Sequence, residues 1–105
     1  MPDIVTLNDN FRKTFIGGQV LLTAGIVAMS PEDKAIIVSL VQNFDNFNKG
    51  NDPYGEHDFG SFDYKDEKIL FKIDYYDLNN EFMSENPADP TVTNRALTIM
   101  TAYEY

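Results

Sequence analysis

His57 is the only histidine in the chain. It stands between two carboxylates in the segment Pro53-Tyr54-Gly55-Glu56-His57-Asp58-Phe59-Gly60. An imidazole beside Glu56 and Asp58, with Asp74 and Asp77 returned toward it by a hairpin, has the parts of an acid–base pair or a metal site. These residues therefore define one functional reading, a small metal-dependent or acid–base hydrolase with His57, Glu56 and Asp58 as catalytic candidates. Two physical facts weigh against it. Neighbouring side chains on an extended segment point to opposite sides, which separates His57 from both carboxylates. A catalytic zinc site also wants three protein ligands, and a single histidine leaves an unusual all-carboxylate remainder. The expectation is thus no metal ligand set and no cofactor. In the competing structural reading, His57 bonds a backbone carbonyl or a carboxylate and pins its loop to the hairpin, with Tyr54 and Phe59 packed beneath.

Other chemistries lack their residues. There is no cysteine, hence no disulfide, thiolate metal site or thiol nucleophile. Ser30, Ser39, Ser61 and Ser84 have no nucleophile-elbow context. Gly17-Gly18 and Gly50 lack the spacing and the basic residue of a phosphate-binding loop. The segment Asp45 to Asp58 lacks the ligand spacing of a calcium-binding hand.

The second functional reading comes from charge. The chain has 105 residues and a formal net charge of -9. Nearly all of that excess falls between Asp45 and Asp89, where twelve Asp and Glu residues face only Lys49, Lys65, Lys68 and Lys72. Solubility needs no such clustering; presentation of negative charge to a basic surface does. Asp52, Tyr54, Glu56, Asp58, Asp63, Asp66, Glu67, Asp74, Tyr76 and Asp77 are the candidate partner-binding residues. Their carboxylates would stand in for phosphates and their tyrosines would serve as interface anchors. The partner expected is a protein with a basic surface. Direct binding to nucleic acid or to an anionic membrane is not expected from a chain of pI near 4.3. No stretch has the apolar length of a membrane span, and Met1-Pro2-Asp3 does not open a signal peptide, so the expected location is cytoplasmic.

A chain of this length is expected to form one domain over residues 1–105. Ile4, Leu7, Phe11 and Phe15 recur at helical spacing, and Gly17-Gly18 ends that helix. Gln19 to Thr23 reads as a strand. Ser30-Pro31-Glu32-Asp33 is a helix start, followed to about Phe44 by a buried face of Ile36, Ile37, Leu40, Val41 and Phe44. Asp45 to Asp58 is a long connection, either mobile or functional. Phe59 to Tyr64 and Lys68 to Asp77 flank Lys65-Asp66-Glu67 as a hairpin with a three-residue turn, with Ile69, Phe71, Ile73 and Tyr75 inward. After the loop from Leu78, Asp89-Pro90 repeats a helix-start signal before a stripe of Val92, Ala96, Leu97, Met100 and Tyr103. Strand alternation of Leu97, Ile99 and Thr101 competes, so residues 97–104 are open between helix and strand. The expected class is α+β, a small antiparallel sheet of about three strands, including a central hairpin, packed by about three helices.

Several blocks in order carry a resemblance over almost the whole chain. Leu7-Asn8-Asp9 followed by Phe11-Arg12, Asn51 to Gly60, Lys72-Ile73-Asp74-Tyr75-Tyr76-Asp77, Pro87-Ala88-Asp89-Pro90 and Leu97-Thr98-Ile99-Met100 are similar to the pattern of an uncharacterised bacterial family, domain of unknown function 3768. The family has no assigned activity, so the resemblance implies no catalytic residues. Occurrence of its members among genes of plasmids and other mobile elements implies a host-interaction or defence-inhibition role. The leading functional expectation is therefore a small acidic interaction protein, encoded by a mobile element, that binds and inhibits a basic nucleic-acid-handling protein. The alternative is the hydrolase centred on His57.

Overall fold

The computed structural model describes residues 3–105; Met1 and Pro2, which open the expected domain and the expected leaderless start, lie outside the described residues. Helix α1 (Ile4–Thr14) begins where the Asp3 carboxylate accepts from the Thr6 amide, and it ends at Phe15 in a left-handed conformation. Strand β1 (Gly18–Leu22) and a one-turn helix α2 (Ala24–Val27) follow. Helix α3 (Pro31–Gln42) starts as its sequence dictates: the Ser30 hydroxyl accepts from the Asp33 amide, Pro31 occupies the first turn, and Glu32 and Asp33 sit at the positive end of the dipole. Strands β2 (Phe59–Tyr64), β3 (Glu67–Tyr76) and β4 (Asn94–Thr101) complete the sheet, and a 3-10 turn, Ala102–Glu104, closes the chain.

The architecture is α+β, with a sheet of four strands in the order β1-β4-β3-β2. The fourth strand is β4, which pairs parallel with β1 and antiparallel with β3; β3-β2 is antiparallel too, and the sheet is therefore mixed. α1 and α3 cover one face, where Phe11, Ile37, Val41, Ile69, Phe71, Ile73, Leu97 and Ile99 form the core. The other face, with Leu21, Lys72, Asp74, Tyr76, Thr98 and Met100, carries no helix pair among the described residues and is met by the C-terminal turn, where Tyr105 meets the Phe59 ring edge-on. No helix of the described residues is long and apolar enough to cross a membrane.

Three expectations are corrected. The segment after Asp89 is not a helix: Asp89 accepts from the Thr91 amide and hydroxyl in a local turn, and residues 94–101 form β4. β4 lies between two strands, with Leu97 and Ile99 buried on one face and Ala96 and Met100 on the other. Burial on both faces erases alternation, which is why an apolar run here imitates a helical stripe. The hairpin turn has two residues, Lys65 and Asp66, both at positive φ (48° and 64°), because Tyr64 already pairs with Glu67. That is the turn geometry whose twist suits adjoining strands. Finally, only Ile37 and Val41 of the expected α3 face are fully buried; Ile36 and Leu40 are 46% and 40% exposed.

Candidate functional site

α1 supplies the groups that organise the site. Its apolar stripe contains two buried polar residues, Asn8 and Arg12, spaced four apart on the inward face. The Arg12 guanidinium donates to the Val41 carbonyl (3.1 Å) and the Phe44 carbonyl (3.0 Å), and to Asp9 Oδ1 (2.9 Å). Arg12 thus supplies the positive charge that the last turn of α3 lacks, satisfies the Phe44 carbonyl, and adds a second donor to the Val41 carbonyl, which also accepts from the Phe44 amide. Its planar head also lies 5.1 Å from the Phe47 ring centroid.

Asp9 is the hinge between Arg12 and His57. His57 Nδ1 lies 3.0 Å from Asp9 Oδ1 and 3.2 Å from Oδ2, and the imidazole stacks on Phe47 at 3.9 Å and 4°. Burial would raise the Asp9 carboxyl, yet hydrogen bonds from His57 and Arg12, with their charges, outweigh it and hold the group below the usual range. The loop is shaped by Asp52, which is buried and accepts from the Glu56 and His57 amides; His57 itself sits at φ 57°. His57 Nε2 is 3.7 Å from Asp52 Oδ2, beyond hydrogen-bond reach. An open cleft of about 560 Å³ borders this group, lined by Asp9, Lys13, Gln42, Asp45, Phe47 and His57 among others.

A second network runs behind it. The Tyr75 hydroxyl accepts from Asn8 Nδ2 (2.8 Å) and lies 3.2 Å from Asp58 Oδ2 and 3.3 Å from Glu56 Oε2. Burial, then the neighbouring Asp58 charge, raises the Glu56 carboxyl; burial also raises the Tyr75 hydroxyl. Asn8 Oδ1 accepts from Arg95 Nε (3.0 Å), and Arg95 also donates to the Pro87 carbonyl. No buried side-chain nitrogen or oxygen among the described residues lacks a hydrogen-bond partner.

The expected trio does not converge. Glu56 and Asp58 turn to Tyr75 while His57 turns to Asp9; the separation is made by a turned backbone, with His57 at positive φ and the Glu56 and His57 amides both gathered on Asp52, rather than by extended alternation. Asp74 is on the opposite sheet face, paired with Lys72 at 3.0 Å, and Asp77 caps its own turn by accepting from the Asn79 and Glu81 amides; neither approaches His57. His57 pins its loop to α1, not to the hairpin. Tyr54 is 87% exposed and Phe59 packs on Tyr105 across the sheet, so neither lies beneath it. Among the described residues, no three His, Asp or Glu side chains are grouped to hold a metal ion.

Of the candidate partner residues, Asp52 is withdrawn from the surface by its burial, and Glu56 and Asp58 are engaged by Tyr75. Asp63 and Asp66 are exposed at the hairpin tip with half-buried Glu67, and none of the three has an ion-pair or side-chain hydrogen-bond partner among the described residues. Tyr76 lies on the uncovered sheet face beside Asp74. Sequence reasoning missed Asn8, Asp9, Arg12, Tyr75 and Arg95 as site residues. The available signal was the polar pair Asn8 and Arg12 set within an apolar helical stripe.

Fold and site together define a small α+β protein whose sheet is covered by helices on one face only and whose loop is locked to α1 by a charged cluster. Residues 22–104 match the family model described as a protein of unknown function, DUF3768, and the chain belongs to that family. The α1 block with Asn8, Asp9 and Arg12 lies before the matched residues. No curated protein and no solved structure showed a match to the chain.

Proposed function

We propose that this protein is a small acidic interaction protein, encoded by a mobile element and working in the cytoplasm, that binds and inhibits a basic nucleic-acid-handling protein. The supporting observation is a division of labour among its carboxylates. Asp9, Asp52, Glu56 and Asp58 are consumed by internal bonds, whereas Asp63, Asp66 and Glu67 project from the hairpin tip with no partner of their own. Carboxylates left without a partner at one hairpin tip favour a basic surface, whose docking would also release the counterions each side holds. The test is capture of a partner from native host lysate by wild type and by a variant carrying Asp63→Asn, Asp66→Asn and Glu67→Gln. Capture that is lost in the variant and inhibits the captured protein's action on nucleic acid supports the reading. Equal capture by both proteins at low salt refutes it.

A second reading rests on a separate observation. A carboxylate on Nδ1 fixes an imidazole so that Nε2 can accept a proton, and here Asp9 and His57 stand in that relation at the edge of a cleft. The reading requires that hydrolysis of chromogenic ester or phosphoester substrates by wild type disappear in His57→Gln and Asp9→Asn. Absence of turnover by wild type removes it.

A further inference from the structure

We propose that the open edge of β2 receives an extended segment of the partner as an added strand, with apolar side chains set toward α3 and Lys or Arg side chains set against Asp63. The inference rests on the proposed capture of a basic protein and names how the capture is made. β2 is an outer strand of the sheet. The Ile73 amide donates to the Asp58 carbonyl at 2.8 Å. Hydrogen-bonded pairs alternate in an antiparallel ladder, so Gly60, Phe62 and Tyr64 turn their backbone groups to β3. Phe59, Ser61 and Asp63 then turn theirs outward, and no hydrogen bond from elsewhere in the described chain reaches them. Such an edge is a template for another strand unless it is blocked.

An apolar shelf lies along the same edge. Asp33, Ile36, Leu40 and Phe44 share one stripe of α3 and its continuation, since they recur at three- and four-residue spacing. At one end Asp33 accepts from the Tyr64 hydroxyl at 2.5 Å. At the other, a Cβ built on Gly60 would lie 2.7 Å from the Phe44 ring. Both ends of the stripe therefore touch β2, which places the exposed Ile36 and Leu40 beside its open side. In an added strand, residues opposite Gly60 and Phe62 would face this shelf, and residues opposite Ser61 and Asp63 would face the uncovered side of the sheet.

Charge selects the occupant. Around the edge the carboxylates of Asp33, Asp63, Asp66 and Glu67 outnumber Lys65 and Lys68, and Lys65 is already paired with Asp33 at 3.0 Å. A second copy of a chain with net charge -9 would set like charges against each other. A segment alternating apolar and basic residues satisfies both faces. Main-chain bonds would give it affinity and the alternate side chains selectivity.

The probe is a synthetic peptide of alternating valine and lysine, about ten residues long to exceed a typical strand. Controls are the same composition in two blocks and a version with glutamate for lysine. Binding is read by fluorescence anisotropy, and its place by amide hydrogen exchange. The alternating peptide should bind, the controls should not, and exchange should slow at Phe59, Ser61 and Asp63. Ser61→Pro removes an outward N–H without touching the β3 ladder and should weaken binding at least about tenfold. Ile36→Ser with Leu40→Ser alters exposed positions only and should weaken it as well, which keeps the test valid if the proline variant unfolds. Binding that survives these variants, without protection along β2, overturns strand addition; if it still falls on neutralising Asp63, Asp66 and Glu67, basic capture stands alone. Binding lost in Ser61→Pro but indifferent to neutralisation overturns the basic occupant. Concentration-dependent dimerisation abolished by Ser61→Pro assigns the edge to a second copy and overturns the proposal.

Discussion

Arg12 satisfies three acceptors from a position that is 1% exposed, so its loss strands the Phe44 carbonyl, leaves the Val41 carbonyl only the 3.3 Å bond from the Phe44 amide, and leaves Asp9 with His57 alone. Hydrogen bonds made by a charged group contribute about 1.5–3 kcal/mol each, and Arg12 makes three from a buried position. Arg12→Ala should therefore lower unfolding stability by about 3 kcal/mol or more in urea titration, far more than replacement of any exposed lysine. Glu104 presents a different case. Its carboxylate accepts from the Thr23 hydroxyl (2.6 Å), the Gly25 amide (2.8 Å) and the Thr101 amide (3.0 Å), tying the C-terminal turn to the start of α2. The Thr23 hydrogen bond first, then the two amides, draw its pKa down from 4.5 to about 2. A carboxyl depressed in the fold contributes stability that is complete above the unfolded value and is lost as pH falls through the folded one. Glu104→Gln should accordingly lower the melting temperature at neutral pH, and the gap to wild type should close on acidification from about 4.5 towards 2. A gap constant with pH would show that the charge plays no part.

The hairpin is held by an aromatic layer that begins outside it. Phe71 is fully buried on β3, with Phe44 edge-on at 5.2 Å and Phe47 at 6.5 Å. Gly60 on β2 lies directly under this layer: an added Cβ would sit 2.6 Å from Phe71 Cζ and 2.7 Å from the Phe44 ring. A glycine inside a strand ordinarily weakens it, and here the missing side chain is the space those rings occupy. Gly60→Ala should therefore destabilise the protein by about 1–3 kcal/mol despite the better strand propensity of alanine. Thermal unfolding checks this, and an unchanged or raised midpoint would mean that the rings move aside freely. The same layer carries the site, because Phe47 is both the neighbour of Phe71 and the platform on which His57 stacks. Phe71→Ala should thus cost on the order of 3–5 kcal/mol and also release the His57 ring, detectable as a change in its NMR shifts.

Across the molecule, charge is segregated more sharply than composition requires. Carboxylates that face the interior meet Arg12, His57, Tyr75 or backbone amides, and Asp63 and Asp66 at the hairpin tip are exposed. If the tip recruits a basic partner, its affinity should fall steeply with added salt, since surface charges reach only about 8 Å at physiological ionic strength. Titration of the captured partner at rising salt should give a slope for wild type that is shallower for the neutralised hairpin variant. Parallel slopes would place the interaction elsewhere. Folding should be little affected by that neutralisation, because exposed carboxylates contribute about 0–1 kcal/mol each.

Local chemistry made several elements legible from the chain. The Ser30-Pro31-Glu32-Asp33 start of α3 follows from groups within one turn, and the alternation of Ile69, Phe71, Ile73 and Tyr75 is set by the pleat of a strand with one buried face. The divergence of His57 from Glu56 and Asp58 agrees with the reading of the chain, but its cause is a left-handed residue in a turned loop, not extended backbone. β4 was not legible in the same way: its identity depends on having β1 and β3 on either side, and burial on both faces removes the periodicity that distinguishes strand from helix. The site was hidden for a related reason. Asn8 meets Arg95 across 87 positions and Tyr75 across 67, and Asp9 meets His57 across 48. No spacing rule spans such separations; those partners are chosen when α1 packs onto the sheet, because a buried polar group must be paired and the only groups within reach are those the fold has delivered.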